Sequence, residues 1–283
     1  MNSKILVTGA TGNVGSEVVC LLHDRGYQIK AAVRDLKNID DTLTPQVEYV
    51  IFDFQQQNTF SPALQGVSKL FLVRPPAIAQ VKRYINPAID AAIAAGVQHI
   101  VFLSLLGTEY NPIVPHAKIE SYIKSVGISY TFLRASFFMQ NLSTMHQEDI
   151  KHQEIFVPAG KGKTSFIDVR DIASVAVKAL TEPGYNNQSY ALTGDEALDY
   201  YQVADMFTRV LGKTVVYTNP SIFQFFTRMY KQGFSLQFIA VMIAIYTTAR
   251  LGFAARITAD LEQILHRKPI RMQQFIADYR ECW

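Results

Sequence analysis

Three glycines within seven residues stand near the start of the chain, in Gly9-Ala10-Thr11-Gly12-Asn13-Val14-Gly15, after the apolar run Ile5-Leu6-Val7. Behind them Val14, Val18, Leu21 and Leu22 recur at the spacing of one helix face. Strand, glycine turn and helix in that order make a seat for an anion. A glycine lets the chain turn, the missing Cβ lets a pyrophosphate reach the backbone, and unpaired N–H groups at the helix start point toward it. The residues expected to cradle a dinucleotide are Gly9, Ala10, Thr11, Gly12, Asn13, Val14 and Gly15; the plainer reading is a turn with no ligand. The next apolar run ends in Ala31-Ala32-Val33-Arg34-Asp35. An acidic side chain at that point holds the ribose 2′-OH of NAD, whereas an arginine meets the 2′-phosphate of NADPH with a planar charged fork. Arg34, with Lys37 nearby, favours NADPH/NADP over NAD, with Asp35 a competitor for the ribose.

A proton donor is harder to find. The Tyr-x-x-x-Lys pair that lowers a tyrosine pKa for proton transfer is absent: Val114 lies four residues before Lys118, Glu120 four before Lys124, and Val126 four after Tyr122. The segment Pro115-His116-Ala117-Lys118 carries the remaining candidates, His116 and Lys118. At about 100° per residue they point about 160° apart, flanking the stripe of Ile119, Ile123 and Val126, so only one faces a bound cofactor. His116 is the expected one. Near a helix N-terminus its pKa should be depressed, leaving a neutral ring that orients a substrate or accepts a hydrogen bond; the bland alternative is a surface histidine beside a proline turn. Farther on, Phe138 and Met139 offer a soft wall for a flat apolar acceptor, and Asn141 an amide for the nicotinamide or the substrate, while Phe137 reads as core. His23, His99, His146, His152 and His266 have no paired spacing, so no metal site is expected.

The elements that must hold these residues follow from periodicity. Apolar runs at Ile5–Val7, Ile29–Val33, Val47–Phe52, Leu70–Val73, Ile100–Leu103 and Tyr130–Leu133 read as strands covered on both faces. Helical patterns separate them, one ending at Gly26, one entered through Asn86 as cap with Pro87 at its first position and ending at Gly96, one running from Pro115 to Gly127. Later, Ser165–Val169 reads as a strand delivering a helix capped by Asp171, Ser189–Thr193 as another strand, and Asp199 with Gln202 as a capping box. Helices follow around Ile222–Met229, Leu236–Ala249 and from Met272. The expected fold is α/β, a Rossmann-type doubly wound parallel sheet with a smaller, mostly helical C-terminal lobe lying over its carboxyl edge. The dinucleotide domain is expected to span residues 1–135 plus about 164–194, and the substrate-side lobe about 136–163 plus 195–283.

With 283 residues, 49% of them apolar and 18% charged, the chain can bury a sizeable core. A net charge of +3, from 27 basic and 24 acidic residues, is too balanced for a nucleic-acid footprint. The apolar stretch near Phe238–Tyr246 is flanked by polar residues before a membrane span is reached. Two distant cysteines, Cys20 and Cys282, fit no disulfide framework, and a cytoplasmic protein is expected, with a small-molecule substrate and no nucleic-acid or membrane partner. Nothing in the sequence sets its oligomeric state.

The glycine spacing is G-x-x-G-x-x-G, unlike the G-x-G-x-x-G of ordinary dehydrogenases. Taken in order, TGATGNVG, AAVRD, FDF, FLVRPP, HIVFLSLLG, YTFLRASFFMQNL, SFIDVRDIA and YALTG resemble the NmrA-like branch of the atypical short-chain dehydrogenase/reductases over nearly the whole length. The resemblance implies an NAD(P)-binding oxidoreductase similar to the quinone oxidoreductase and ergot-alkaloid-type reductase members, passing hydride to a small flat acceptor such as a quinone, imine or enone. It also implies that Asp53 and Phe54 border the adenine, although Asp53 reads equally as a cap before Gln55. By the same likeness Val73, Arg74 and Pro75 line the nicotinamide ribose, Ser104 stands at the family serine, and His116 takes the position of a lysine or histidine near the nicotinamide. A sugar-nucleotide epimerase, which needs the missing tyrosine, is disfavoured. The competing expectation is an NmrA-like redox-sensing regulator that binds NAD(P) without turnover.

Overall fold

The computed structural model describes residues 4–38 and 47–283. In chain order they form β1 (Lys4–Val7), α1 (Asn13–Asp24), β2 (Ile29–Val33), β3 (Glu48–Ile51), α2 (Phe60–Leu64), β4 (Val67–Leu72), α3 (Val81–Tyr84), α4 (Asn86–Ala94), β5 (His99–Leu105), α5 (Pro115–Ser125) and β6 (Ser129–Ala135). Then come α6 (Gln140–Ser143), α7 (Gln147–Lys151), β7 (Glu154–Ile155), α8 (Val169–Thr181), β8 (Gln188–Leu192), α9 (Tyr200–Leu211), β9 (Val216–Tyr217), α10 (Ile222–Lys231), α11 (Leu236–Arg250), α12 (Asp260–Leu265) and α13 (Met272–Asp278). The chain divides into two compact units, Met1–Ala135 with Val169–Leu192, and Ser136–Asp168 with Thr193–Trp283.

The first unit is a seven-stranded parallel sheet in the order β3-β2-β1-β4-β5-β6-β8. The order reverses at β1, which pairs with β2 on one side and β4 on the other, and at such a switch point a crevice opens at the carboxyl ends of the strands. Alternation along each strand decides which helices it meets. Leu6, Leu70, Leu72, Ile100, Phe102 and Phe132 turn to one face and pack with Ala88, Ile89, Ile119 and Ile123 of α4 and α5. Helices α1 and α8 pack against each other, and they bury Val14, Val18 and Leu22 of α1 and Ile172, Val175 and Ala176 of α8. Layers of helix on both faces explain why the central strands are apolar throughout.

The second unit has its own core, in which Leu142, Ile155, Phe166, Val203, Phe207, Phe225, Tyr246 and Phe275 are buried together. Helix α9 starts with the expected box: Asp199 accepts the Gln202 amide at 2.9 Å and the Gln202 side chain accepts the Asp199 amide at 3.1 Å. Ser221 and Gln224 form a second such box at the start of α10. The parallel pair β7 and β9, two residues each, was too short to register as periodicity. No helix among the described residues is long and apolar enough to cross a membrane.

Three local expectations are corrected. Ser165–Val169 is not a strand of the sheet: its backbone bonds scatter, Ser165 N–H to Ala254 and Ile167 N–H to Phe137, leaving only an isolated bridge of Ile167 with Phe138. Helix α8 begins at Val169, so Asp171 lies inside its first turn and is not its cap. Asn86 is likewise already helical, because α3 runs into α4 through Ile85, whose carbonyl accepts the Ala88 and Ile89 amides.

Candidate functional site

At the carboxyl end of β1 the chain turns at Gly9, whose φ of +64° lies in the region open to glycine. The Gly9 carbonyl accepts the Gly12 amide at 2.9 Å and closes the turn. Each glycine answers a separate steric demand. A Cβ on Gly9 would come within 3.2 Å of the Val73 Cβ, and one on Gly12 within 3.3 Å of the Gly9 carbonyl oxygen. A Cβ on Gly15 would overlap that same carbonyl outright, so Gly15 is what allows α1 to lie against the turn. Gly9, Thr11 and Gly12 are exposed, Asn13 half-buried, and Ala10, Val14 and Gly15 buried beneath them. No acidic side chain stands in the first turn of α1, and Gly12 caps it without a side chain, so among the described residues of that turn no carboxylate takes up the leading N–H groups. A bare backbone surface, a positive helix end and no competing carboxylate are what a dinucleotide pyrophosphate requires.

Thr8 was missed by the sequence reading and is the clamp of this edge. Its hydroxyl donates to the Phe71 carbonyl at 3.0 Å and accepts the Val73 amide at 2.8 Å, tying the end of β1 to the end of β4. Beyond Val73, the Arg74 guanidinium folds onto its own loop and donates to the carbonyls of Pro75, Pro76 and Ile78, with Nε buried and unpartnered. At the end of β2, Arg34 is exposed, while Asp35 accepts the Lys37 amide at 2.9 Å and so starts a short 3-10 turn. After β3, the carboxylate of Asp53 accepts from the Gln55 amide and the Gln56 side chain, both at 2.9 Å, which is the capping arrangement. The Phe54 ring is core, set edge-on to Phe52.

On the next two strands, register and alternation together build an ionic cluster. Ser104 of β5 lies opposite Arg134 of β6, both on the face that α5 covers. Glu120 of α5 meets them there. Its Oε1 accepts the Ser104 hydroxyl at 2.5 Å, the Thr108 hydroxyl at 3.0 Å and Arg134 Nε at 3.1 Å, and its Oε2 accepts Arg134 at 2.6 Å. One turn before Glu120, the ring of His116 is buried and stacked on Phe102, with ring centres 5.9 Å apart. Burial first, and the nearby Arg74 charge second, push its pKa down to about 3. The ring is therefore neutral as expected, with desolvation the larger cause and Arg74 the second. His116 Nδ1 is buried without a partner, and Lys118 points to solvent. The residues around the carboxyl edge of this unit thus fit a nicotinamide dinucleotide: a glycine cradle, an exposed arginine at β2, and unmet polar atoms on Arg74 and His116.

The other candidates belong to the second unit. Met139 is in its core, Phe138 and Asn141 are half-buried, and Phe137 packs against Phe166 and Tyr246 as core, as expected. The segment from Glu154 to Lys163 is pinned: the backbone at Gly162 lies directly on Ala249 and Arg250, and the Gly160 amide donates to Asn219 at 3.1 Å.

A parallel sheet in this order, with a glycine-rich turn opening onto a helix at its switch point, defines a Rossmann-type, NAD(P)-binding oxidoreductase. The model of the NmrA-like family matches residues 1–275, and the chain belongs to that family. It is 34% identical over 275 residues to an NAD(P)H azoreductase of Xenophilus azovorans, with 96% of each chain covered. The crystal structure of the NADPH-dependent quinone oxidoreductase QOR2 from Escherichia coli complexed with NADPH superposes with a TM-score of 0.86 at 26% identity, covering 98% of this chain and 99% of that one. The triphenylmethane reductase of Citrobacter sp. complexed with NADP(H) gives 0.85 at 27% identity, covering 97% and 99%.

Proposed function

We propose that this protein uses NADPH to reduce a flat, electron-poor acceptor of the quinone, azo, imine or conjugated-dye kind. The observation that carries the reading is at the end of β2: Asp35 is engaged by the Lys37 amide, while Arg34 is exposed. An arginine free to turn outward suits a 2′-phosphate, and a carboxylate already accepting a backbone N–H is a poorer ribose acceptor. The turn Gly9–Gly15 would hold the pyrophosphate, with Val73, Arg74, Pro75 and His116 toward the nicotinamide side. When bound, the dinucleotide supplies the hydride.

The protein's own part is orientation and exclusion of water. Among the described residues of the first unit, neither residue expected to touch substrate is a ready acid. His116 has a pKa of about 3, and the Ser104 hydroxyl is donated to Glu120. Acceptors that take hydride before any proton, as quinones and cationic dyes do, match such a site; a plain ketone does not. Asp53, Phe54, Lys118 and Met139 have less support as contacts, since Asp53 and the two buried side chains are occupied in the fold and Lys118 faces solvent.

The same Ser104–Glu120 bond supports a second reading, an NAD(P)-binding redox sensor, because it withdraws the serine from a substrate oxygen. Oxidation of NADPH followed at 340 nm against quinones, azo dyes, triphenylmethane dyes and imines, with NADH in parallel, separates the two. Acceptor-dependent turnover establishes the reductase; tight cofactor binding that differs between oxidised and reduced forms, without turnover, establishes the sensor.

A further inference from the structure

The loop from Leu106 to Val114 joins the end of β5 to α5, so it is hung between Ser104 and His116 at the carboxyl edge of the first unit. It is held at its base and through its length. Leu106 N–H donates to Ala135, Thr108 O–H to Glu120, and the Arg134 guanidinium lies 3.5 Å from Glu109. Its backbone is a run of turns, with Tyr110 N–H on the Gly107 carbonyl and Ile113 N–H on the Asn111 side chain. From this anchored loop Tyr110 and Ile113 project with 78% and 76% of their surface exposed. A single exposed apolar residue is ordinary, and loop tips are usually small and polar. Two large apolar side chains three residues apart, on a loop held by hydrogen bonds to Ala135 and Glu120, form a prepared apolar surface. The loop's one charged residue, Glu109, lies 3.5 Å from Arg134, and its two most exposed side chains are Tyr110 and Ile113.

We propose that Tyr110 and Ile113 form the platform on which the aromatic face of the acceptor rests, and that they set a preference for fused or multi-ring acceptors over single-ring ones. The inference rests on the reductase reading. An aromatic ring gains from both area burial and offset stacking on a tyrosine, and the gain grows with the size of the ring system.

The test compares wild type with Tyr110→Ala, Ile113→Ser and the double variant; both side chains are exposed, so folding is retained. With NADPH as donor, KM for a naphthoquinone is expected to rise about tenfold in the double variant, against about twofold or less for benzoquinone, with kcat and the Kd for NADPH little moved. Equal KM values in wild type and variants overturn the proposal. A second arm needs no turnover: a triphenylmethane dye is titrated into each protein with NADP+ present and its absorbance shift is followed. Loss of dye binding in the double variant supports the platform; dye binding unchanged, or absent in wild type, overturns it. A wild type that binds dye through this loop but oxidises no NADPH would refute the reductase reading while leaving the platform standing. Variants that change only the oligomeric state in size-exclusion chromatography would assign the loop to contact between copies and overturn the proposal.

Discussion

The hydroxyl of Thr8 accepts the Val73 amide at 2.8 Å, so one side chain at the end of β1 sets the backbone at the end of β4. The same hydroxyl donates to Phe71, and Val73 is the residue against which Gly9 turns. Thr8→Val keeps the shape and removes both bonds, leaving the Val73 N–H without its partner. The expected loss is about 1–3 kcal/mol of stability in urea unfolding, together with a raised Kd for NADPH, because the turn and the β4 loop are no longer held in register. An unchanged Kd would show that the turn is set by its glycines alone.

Arg34→Ala tests cofactor choice. An arginine meeting a phosphate makes charge-assisted hydrogen bonds worth about 1.5–3 kcal/mol, so kcat/KM with NADPH should fall about tenfold to a hundredfold while the value with NADH stays within about twofold. A parallel fall with both cofactors would mean that Arg34 acts on the fold and not on the 2′-phosphate.

What could be read directly from the sequence was local. The cradle Gly9–Gly15 needs only a strand, a turn and a helix in succession, and the capping box of Asp199 and Gln202 spans four residues. The cluster of Ser104, Glu120 and Arg134 needs the β5–β6 register, strand alternation and the pitch of α5 all at once, none of which is available from spacing alone. A signal was present: Glu120 follows Ile119 on the buried stripe of α5, and Arg134 continues the inward alternation after Phe132. Phe54 and Met139 show the opposite difficulty. An apolar residue just past a strand looks alike whether it lines a pocket or fills a core, and both fill cores.

The two buried histidines of the first unit make its stability pH-dependent. His116 and His99 have folded-state values of about 3 and about 4, below the unfolded value of 6.5, in both cases chiefly through burial. Below about pH 6.5 the unfolded chain binds protons that the folded chain refuses, so stability falls as pH drops from there toward the folded values, by up to about 1.4 kcal/mol per unit for each ring. His116→Phe keeps a ring against Phe102 and should flatten the profile between pH 6 and 4 by about one such slope in urea unfolding. Profiles that stay parallel would show that His116 takes up its proton without cost. Reductase activity, for its part, should show no inflection from His116 between pH 5 and 8.

In the second unit, Tyr246 and His146 meet at 2.6 Å between the hydroxyl and Nε2, both side chains buried. Burial raises the Tyr246 pKa well above its ordinary value, so the phenol keeps its proton and the contact is a hydrogen bond whose donor follows the ring's tautomer, with the other ring nitrogen 4.0 Å from Asp149. Tyr246→Phe preserves the ring packed on Phe137, Tyr200 and Phe225 and removes only the oxygen. The change leaves the buried Nε2 of His146 unpaired and should cost about 1–3 kcal/mol in urea unfolding. Adding His146→Leu removes that orphan, so the double variant should be less destabilised than the sum of the two single changes. Strict additivity would show that water reaches Nε2 once the phenol is gone, and that the pair contributes packing and not a hydrogen bond.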